Sequence, residues 1–269
     1  MKNLRKKTAQ ILGRKFIYFK GKDKIIRFLF SPDKKLESGD YFEIDYFEKK
    51  YQGITSNYID WGVYVYGGLE KALVNFISSK ISDFSYLIDV GSNSGTISLP
   101  FCHSKKLKII CFEPLEYSYE KLVNNFKINN AYSNHQFFKL GLSNKSGDQK
   151  IFFSKNNSNI GMATLSKNKD LIFDSSENIK VNKLDNILDI KNKKIFLKVD
   201  IESHENEFVE GAANLLKNNK ILMYLETEDQ NLLNKLKKIN FKISFPQFIE
   251  GKYFFTEMQN SHHVILKNY

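Results

Sequence analysis

From about residue 70 the apolar positions fall into two rhythms that alternate along the chain. Short apolar runs at Tyr86–Val90, Lys108–Phe112, Gln136–Leu140, Ile195–Val199 and Ile221–Leu225 read as strands. Between them, Leu69–Ser79, Thr96 towards His103, Tyr117–Asn129, Glu205–Leu216 and Gln230–Lys238 carry apolar residues at helical spacing. Repeated strand–helix–strand segments predict an α/β fold in which helices cover a parallel sheet. Two more strands, near Phe241–Phe245 and His263–Lys267, close that sheet. The alternation is interrupted between 141 and 190, where Ile151–Phe153 and Met162–Leu165 read as inserted strands and Leu184–Leu188 as a short helix. No internal repeat is present.

Ahead of this region the pattern differs. Residues 1–30 alternate basic and apolar side chains, with Gly13 and Gly21 as interruptions, and predict one or two short amphipathic helices ending at Ser31-Pro32-Asp33. Between 38 and 68 stand Tyr41, Phe42, Tyr46, Phe47, Tyr51, Tyr58, Trp61, Tyr64 and Tyr66, broken by Gly39, Gly53 and Gly62. That density predicts short strands and turns whose aromatic face caps the core, or, as the alternative, contacts a ligand. Two units are therefore expected: an extension over 1–68 and a main domain over 69–269.

Composition adds charge to this picture. The chain has 269 residues, 42% hydrophobic and 26% charged, with four prolines, which describes a globular protein rather than a disordered polymer. Its net charge of +11 would ordinarily point to nucleic acid or an anionic membrane. Residues 1–30 hold ten of the basic residues and one acid, Asp23, so +9 of the charge lies there. The three arginines are Arg5, Arg14 and Arg27, so the rest of the chain has no guanidinium with which to read bases. DNA is not an expected partner, and RNA is the weaker alternative. A peripheral contact of residues 1–30 with a membrane surface or a glycan-assembly partner is compatible with any catalytic reading. No apolar run is long enough to span a bilayer, and the N-terminus lacks the apolar core of a secretory signal, so the cytoplasm is the expected location. Cys102 and Cys111 have neither CxxC spacing nor histidine pairs beside them, and read as reduced and buried.

The chemistry concentrates where the first strand, Ile88-Asp89-Val90, runs into Gly91-Ser92-Asn93-Ser94-Gly95. Gly91 permits a tight turn and close approach of a ligand, and Gly95 lets a helix start against the strand. A dinucleotide loop wants G-x-G-x-x-G, and here Asn93 and Thr96 occupy the second and third glycine positions, so that version fails. The D-x-G-x-x-x-G form suits S-adenosylmethionine instead. The second strand ends in Phe112-Glu113-Pro114, where a carboxylate can accept both ribose hydroxyls.

These segments, with Leu140-Gly-Leu-Ser143, Gly147, Val181-Asn-Lys-Leu-Asp185, Lys198-Val-Asp-Ile-Glu-Ser-His-Glu205 and Gly211-Ala212, resemble the FkbM-type S-adenosylmethionine-dependent methyltransferases over about residues 70–230. The family usually has Gly after the first Glu of the K-x-D-x-E run, where this chain has Ser203. The resemblance implies a Rossmann-like class I methyltransferase fold: a mostly parallel seven-stranded sheet with helices on both faces, a small helical and aromatic N-terminal extension, and a β insertion near 145–170. It further implies that Asp89, Gly91, Ser92, Asn93 and Gly95 wrap the methionine portion of S-adenosylmethionine. Glu113 would hold the ribose, and Leu140, Gly141 and Leu142 would flank the adenine. The implied acceptor is a sugar hydroxyl, in a surface glycan or a glycosylated metabolite.

An alcohol acceptor must lose a proton. Asp200, Glu202, His204 and Glu205 stand at the C-terminal edge of the fourth strand, where open parallel sheets bind ligands. Alternation aims Lys198, Asp200 and Glu202 to one side. Asp200 is the expected base, alone or as a ligand, with Glu202, of a divalent ion such as Mg²⁺. A structural ion pair with Lys198 is the alternative for these acids, and a merely solvated side chain is the alternative for His204. Glu226, at the end of the next strand, is a further acid of the acceptor side. In the insertion, Asn157, Met162 and Thr164 are expected to line the acceptor pocket, or else to form a surface hairpin.

Overall fold

The computed structural model describes residues 2–16, 19–32, 39–154, 162–165, 173–249, 252–256 and 263–269. The chain opens with helices α1 (Lys2–Lys15) and α2 (Lys22–Leu29), a hairpin β1 (Tyr41–Tyr46) and β2 (Lys49–Ile54), and helices α3 (Tyr58–Tyr66) and α4 (Lys71–Ser78). Then follow β3 (Tyr86–Val90), β4 (Lys108–Phe112), α5 (Glu116–Lys127) and β5 (Gln136–Phe138). Next come β6 (Gly141–Leu142), β7 (Gly147–Phe153), β8 (Ser175–Asn182) and α6 (Leu184–Ile187). The last part holds β9 (Lys194–Val199), α7 (Glu205–Gly211), α8 (Ala213–Asn218), β10 (Lys220–Glu226), α9 (Gln230–Lys238), β11 (Lys242–Ile249), β12 (Lys252–Thr256) and β13 (His263–Lys267).

The main sheet has the order β12-β11-β13-β10-β9-β3-β4-β5. From β10 to β5 neighbouring strands are parallel, and β13 lies antiparallel between β10 and β11. This is the mostly parallel seven-stranded sheet of class I methyltransferases, lengthened at one edge by β12. Strand alternation divides the core into two layers. Ile88, Val90, Ile110, Phe112, Leu197 and Val199 pack against α6 to α9, while Leu87, Ile109, Cys111 and Phe196 pack against α4, α5 and the β1–β2 hairpin. The order in which strands are added reverses between β3 and β9, so a crevice opens beyond their C-terminal ends.

Several elements differ from the sequence expectation. The helix expected from Thr96 is reduced to turns and one short 3₁₀ segment, Leu99–Phe101. Pro100 has no N–H to return to Thr96, and the freed Thr96 carbonyl accepts the Tyr46 hydroxyl at 2.9 Å instead. Residues 58–66 form a helix rather than strands and turns; Asn57 caps it by accepting from the amides of Ile59 and Asp60. The helix expected over Glu205–Leu216 breaks at Ala212 into α7 and α8. The insertion is a sheet of order β6-β8-β7, in which β8 was not expected. Of Met162–Leu165, expected as a strand, only Thr164 pairs, through a single bridge to Phe152.

Gly211 sits where α7 crosses the backbone of the inserted sheet. A Cβ there would lie 2.0 Å from the Ser143 carbonyl oxygen. Gly211→Ala gains about 1 kcal/mol of helix propensity, yet it must displace a backbone atom that cannot yield, so the clash dominates. The variant is expected to unfold at a lower temperature than the parent chain in a melting experiment; an unchanged or raised Tm would contradict this packing.

Candidate active site

The glycine loop after β3 is held from three sides. The Gly91 and Ser92 amides both donate to the Phe112 carbonyl, at 3.0 and 3.1 Å, and the Ser92 hydroxyl donates to the Asp89 carbonyl at 2.6 Å. Gly91 has φ +73°, and a Cβ on it would lie 1.9 Å from the Asp200 carbonyl oxygen. No side chain fits there. Its own carbonyl accepts from the Lys198 ammonium at 2.8 Å.

Lys198 is the hub of the site. It is 3% exposed, and its Nζ lies 3.6 Å from Asp89 Oδ1 and 3.4 Å from Asp200 Oδ2. Burial alone would lower its pKa, but Asp200, Asp89 and Glu70 together outweigh that and hold the ammonium above its ordinary value. Asp89 is fully buried and, among the described residues, receives no hydrogen bond of good geometry on either oxygen. Burial raises its pKa against the pull of Lys198.

Glu113 clamps the far side of the glycine loop. Its carboxylate accepts from the Asn93 amide at 2.9 Å and the Leu115 amide at 3.0 Å, while burial pushes it up to about 7. Each oxygen keeps a lone pair for a further donor. A buried chain of polar groups ties the loop to the N-terminal hairpin as well. The Tyr51 hydroxyl donates to Asp60 at 2.6 Å and meets the Ser94 hydroxyl at 2.7 Å, and Lys121 pairs with Asp60.

On the opposite wall β9 ends at Val199, and the Asp200 amide donates to the Val90 carbonyl at 3.2 Å. The backbone then turns left-handed at Glu202 and Ser203, with φ of +50° and +71°. Strand alternation therefore stops before Glu202, although Lys198, Asp200 and Glu202 all line the cleft. The position at which the family usually has Gly is thus a left-handed one, and Ser203 holds it under strain. Burial, then Asp200 and Glu205, push Glu202 up to about 7. Burial, then Asp200, push Glu226 up to about 8. His204 is committed through both ring nitrogens: Nε2 meets the Ser143 hydroxyl at 3.0 Å and Nδ1 lies 3.5 Å from Glu207.

The cleft brings together Gly91, Ser92, Asn93, Glu113, Leu140, Gly141, Leu142, Asp200, Glu202, His204 and Glu226. It encloses about 1090 Å³, counting its open mouth. Asp89 and Gly95 stand behind the loop rather than on the wall. In the insertion the parity is opposite to the expected one. Ala163 and Leu165 line the cleft, whereas Met162 does not, and Thr164 turns away to donate to the Glu202 carbonyl at 2.6 Å. Asn157 lies outside the described residues. Glu70 and Ile59 also reach the cleft and carry no sequence signal, because only the packing of α3 and α4 brings them there. Burial pushes Glu70 up to about 7. Among the described residues no group of three or more His, Cys, Asp or Glu side chains is arranged to hold a metal ion, so a divalent ion on Asp200 and Glu202 would find no third such ligand among them.

Two outcomes follow from these charges. Lys198→Ala leaves Asp89 buried without a counter-charge and should cost about 3–5 kcal/mol in denaturant unfolding; a loss well under 1 kcal/mol would remove Lys198 from the centre of the site. Glu70, Glu113, Glu202 and Glu226 are all raised above 4.5, so the folded chain binds protons that the unfolded chain has released. Their contribution to stability is full below that value and is lost as pH rises through about 7 to 8. His135 and His204 are shifted down and act in the opposite sense only at lower pH. Melting at about pH 7 should therefore occur at a higher temperature than at about pH 8.5, and Glu226→Gln should shrink that difference.

The methyltransferase FkbM domain family matches residues 89–267. No curated protein matches the chain. Among solved structures, methyltransferase FkbM from Methylobacillus flagellatus KT is similar at a TM-score of 0.46 and 14% identity, over 98% of this chain and 59% of that one. The tRNA (uracil-54, C5)-methyltransferase of Pyrococcus abyssi, in complex with S-adenosyl-L-homocysteine, gives 0.45 and 12%, over 84% and 42%. Magnesium protoporphyrin IX methyltransferase from Synechocystis PCC 6803, with bound SAM, gives 0.44 and 10%, over 79% and 85%. The chain thus spans about six tenths of the Methylobacillus protein and about four tenths of the Pyrococcus one. Likenesses this distant carry no argument about substrate. The family match runs from the end of β3 through the glycine loop, Glu113 and the acid loop to β13, about two thirds of the length, and so the chain belongs to the FkbM methyltransferase family of S-adenosylmethionine-dependent enzymes.

Proposed function

We propose that the chain transfers the methyl group of S-adenosylmethionine to a hydroxyl of a sugar, in a surface glycan or a glycosylated metabolite, with Asp200 receiving the hydroxyl proton. The observation that carries this reading is the cluster of Asp200, Glu202 and Glu226 on the wall opposite the glycine loop, with Asp200 beside the Lys198 ammonium. Burial raises Glu226 to about 8, so it keeps its proton near neutral pH, and the Asp200 carboxyl beside it offers its oxygens to the substrate hydroxyl. The Lys198 ammonium, 3.4 Å from Asp200, fixes where that carboxylate stands.

The cofactor edge fits S-adenosylmethionine in that Glu113, on the cleft wall, has lone pairs to spare, with Gly91, Ser92 and Asn93 of the glycine loop beside it. Asp89, Gly91, Ser92, Asn93 and Gly95 would form and back the seat of the methionine portion, Glu113 would accept from the ribose hydroxyls, and Leu140 to Leu142 would flank the adenine. S-adenosylmethionine supplies a methyl group on a positively charged sulfur, and the neutral thioether leaves without needing a proton. What the chain adds is alignment and a proton acceptor. A divalent ion held by Asp200 and Glu202 is the competing use of the same carboxylates.

The outer part of the cleft supports a neutral acceptor. Glu202, Glu205, Glu226, Glu228 and Asp229 line it, with no lysine or arginine among the described residues that line it. Such a mouth repels phosphates, which favours a polyol over RNA. The cytoplasmic setting expected from the sequence belongs to this proposal.

Incubation with methyl-labelled S-adenosylmethionine and a panel of neutral sugars, sugar-containing metabolites and RNA, with and without EDTA, tests acceptor and metal together. Label on a sugar that survives EDTA is the expected result; label on RNA would replace the acceptor reading, and loss with EDTA would move Asp200 and Glu202 to metal binding. Asp200→Asn should lower transfer by about 10²–10⁴ while cofactor affinity, measured by calorimetry, holds within about twofold. Undiminished turnover in that variant would exclude Asp200 as the base.

A further inference from the structure

Six of the eleven exposed large apolar side chains among the described residues lie between Leu4 and Phe28: Leu4 and Phe28, at 70% and 81% exposure, with Ile11, Phe16, Phe19 and Ile25. The same thirty-residue stretch holds +9 of the net +11. We propose that α1 and α2 form a docking face for an anionic lipid bilayer, on which these side chains insert among the headgroups. The inference is independent of the reaction assigned to the cleft.

The arm is not a loose tail whose apolar residues are exposed by default. Its inner side is fully used. Lys6, Ala9 and Gly13 are buried on one face of α1, and a Cβ on Gly13 would lie 2.3 Å from the Val65 carbonyl oxygen. Arg14 donates to the carbonyls of Val63 and Tyr64 at the end of α3, and Lys22 donates to those of Gly13 and Phe16 at the end of α1. Trp61 donates to the Phe30 carbonyl at 3.1 Å. With that side fixed, the opposite one faces outward. Leu4 and Ile11 stand seven residues apart on α1 with Lys7 and Lys15 on the same stripe, and Ile25 and Phe28 stand three apart on α2 beside Lys24.

The charges divide in the same way. Lys6, Arg14 and Lys22 serve the interior, whereas Arg5, Lys7, Lys15, Lys20 and Lys24 are exposed and enter no ion pair among the described residues. Lysines around protruding Leu, Ile and Phe are what an anionic bilayer surface rewards: the ammoniums gain from the negative surface potential, and the apolar side chains gain by leaving water. A nucleic acid would reward guanidinium, and Arg14 is spent on α3 while Arg27 lies over the rings of Tyr58 and Trp61. No helix among the described residues is long and apolar enough to cross a membrane, so the contact lies in the interface plane.

Flotation of the full chain with phosphatidylcholine vesicles, with or without phosphatidylglycerol, tests this. The chain should float with the anionic vesicles, roughly tenfold or more above the neutral ones, and less at high salt. Leu4→Ser/Ile11→Ser/Phe28→Ser and Lys7→Glu/Lys15→Glu/Lys24→Glu should each weaken flotation by roughly tenfold, with the melting temperature kept because all six positions are exposed. No flotation with anionic vesicles would overturn the proposal. So would flotation unaffected by the apolar triple variant, which would mean adsorption by charge alone, or a short RNA that displaces the vesicles from the chain.

Discussion

One buried ammonium organises this protein. Lys198 lies opposite Asp89 in the register of two parallel strands, β9 and β3, at the point where the strand order reverses. A charged pair in the middle of a sheet is expensive to desolvate and persists only if its remaining donors are used. Here the third contact is the Gly91 carbonyl and the next is Asp200. The same nitrogen therefore fixes the turn of the glycine loop and the position of the acid across from it. Loop and acid cannot shift independently, because moving either breaks a contact to a cation that has no solvent to fall back on.

Around that centre the acids outnumber the bases. Glu70, Asp89, Asp200, Glu202 and Glu226 gather around one lysine, and burial raises Glu70 and Glu202 to about 7 and Glu226 to about 8, and raises Asp89 as well. The cost of gathering them is visible in the backbone as well: Glu202 and Ser203 hold left-handed conformations that side chains disfavour. Thr164, brought in by the inserted sheet, steadies this strained turn by binding the Glu202 carbonyl. The N-terminal hairpin steadies the opposite wall through Tyr51, Asp60 and Ser94. Two additions to the parallel sheet thus each brace one side of the cleft.

Much of the fold is legible along the chain. The apolar runs at Tyr86–Val90, Lys108–Phe112, Ile195–Val199 and Ile221–Leu225 lie in the centre of the sheet, where both faces are covered and only strands of that composition fit. Legibility fails where tertiary contacts override local preference. Residues 58–66, rich in Tyr and Val, have strand propensity, yet Asn57 caps them into a helix whose Trp61 is fully buried. Pro100 lacks the N–H that would continue the helix expected after the glycine loop, and Tyr46, fifty residues away, takes the carbonyl it frees. The parity of the insertion was not legible either, since one residue of offset exchanges Thr164 for Ala163 and Leu165 on the cleft wall.

By itself the sequence determined the order of strands and helices, the glycine turn, the carboxylate at the end of the second strand and the run of acids after the fourth. Each is a local matter of spacing, of which residues tolerate a turn, or of which side chains carry charge. Only the tertiary structure decided what those acids do to one another. Proton affinity depends on burial and on neighbours a few ångströms away, and Glu70, Lys198 and Glu226 become neighbours of Asp200 only when β9, β10 and α4 pack. It also decided which side of the N-terminal helices faces outward, because that depends on which side the aromatic helix α3 already occupies.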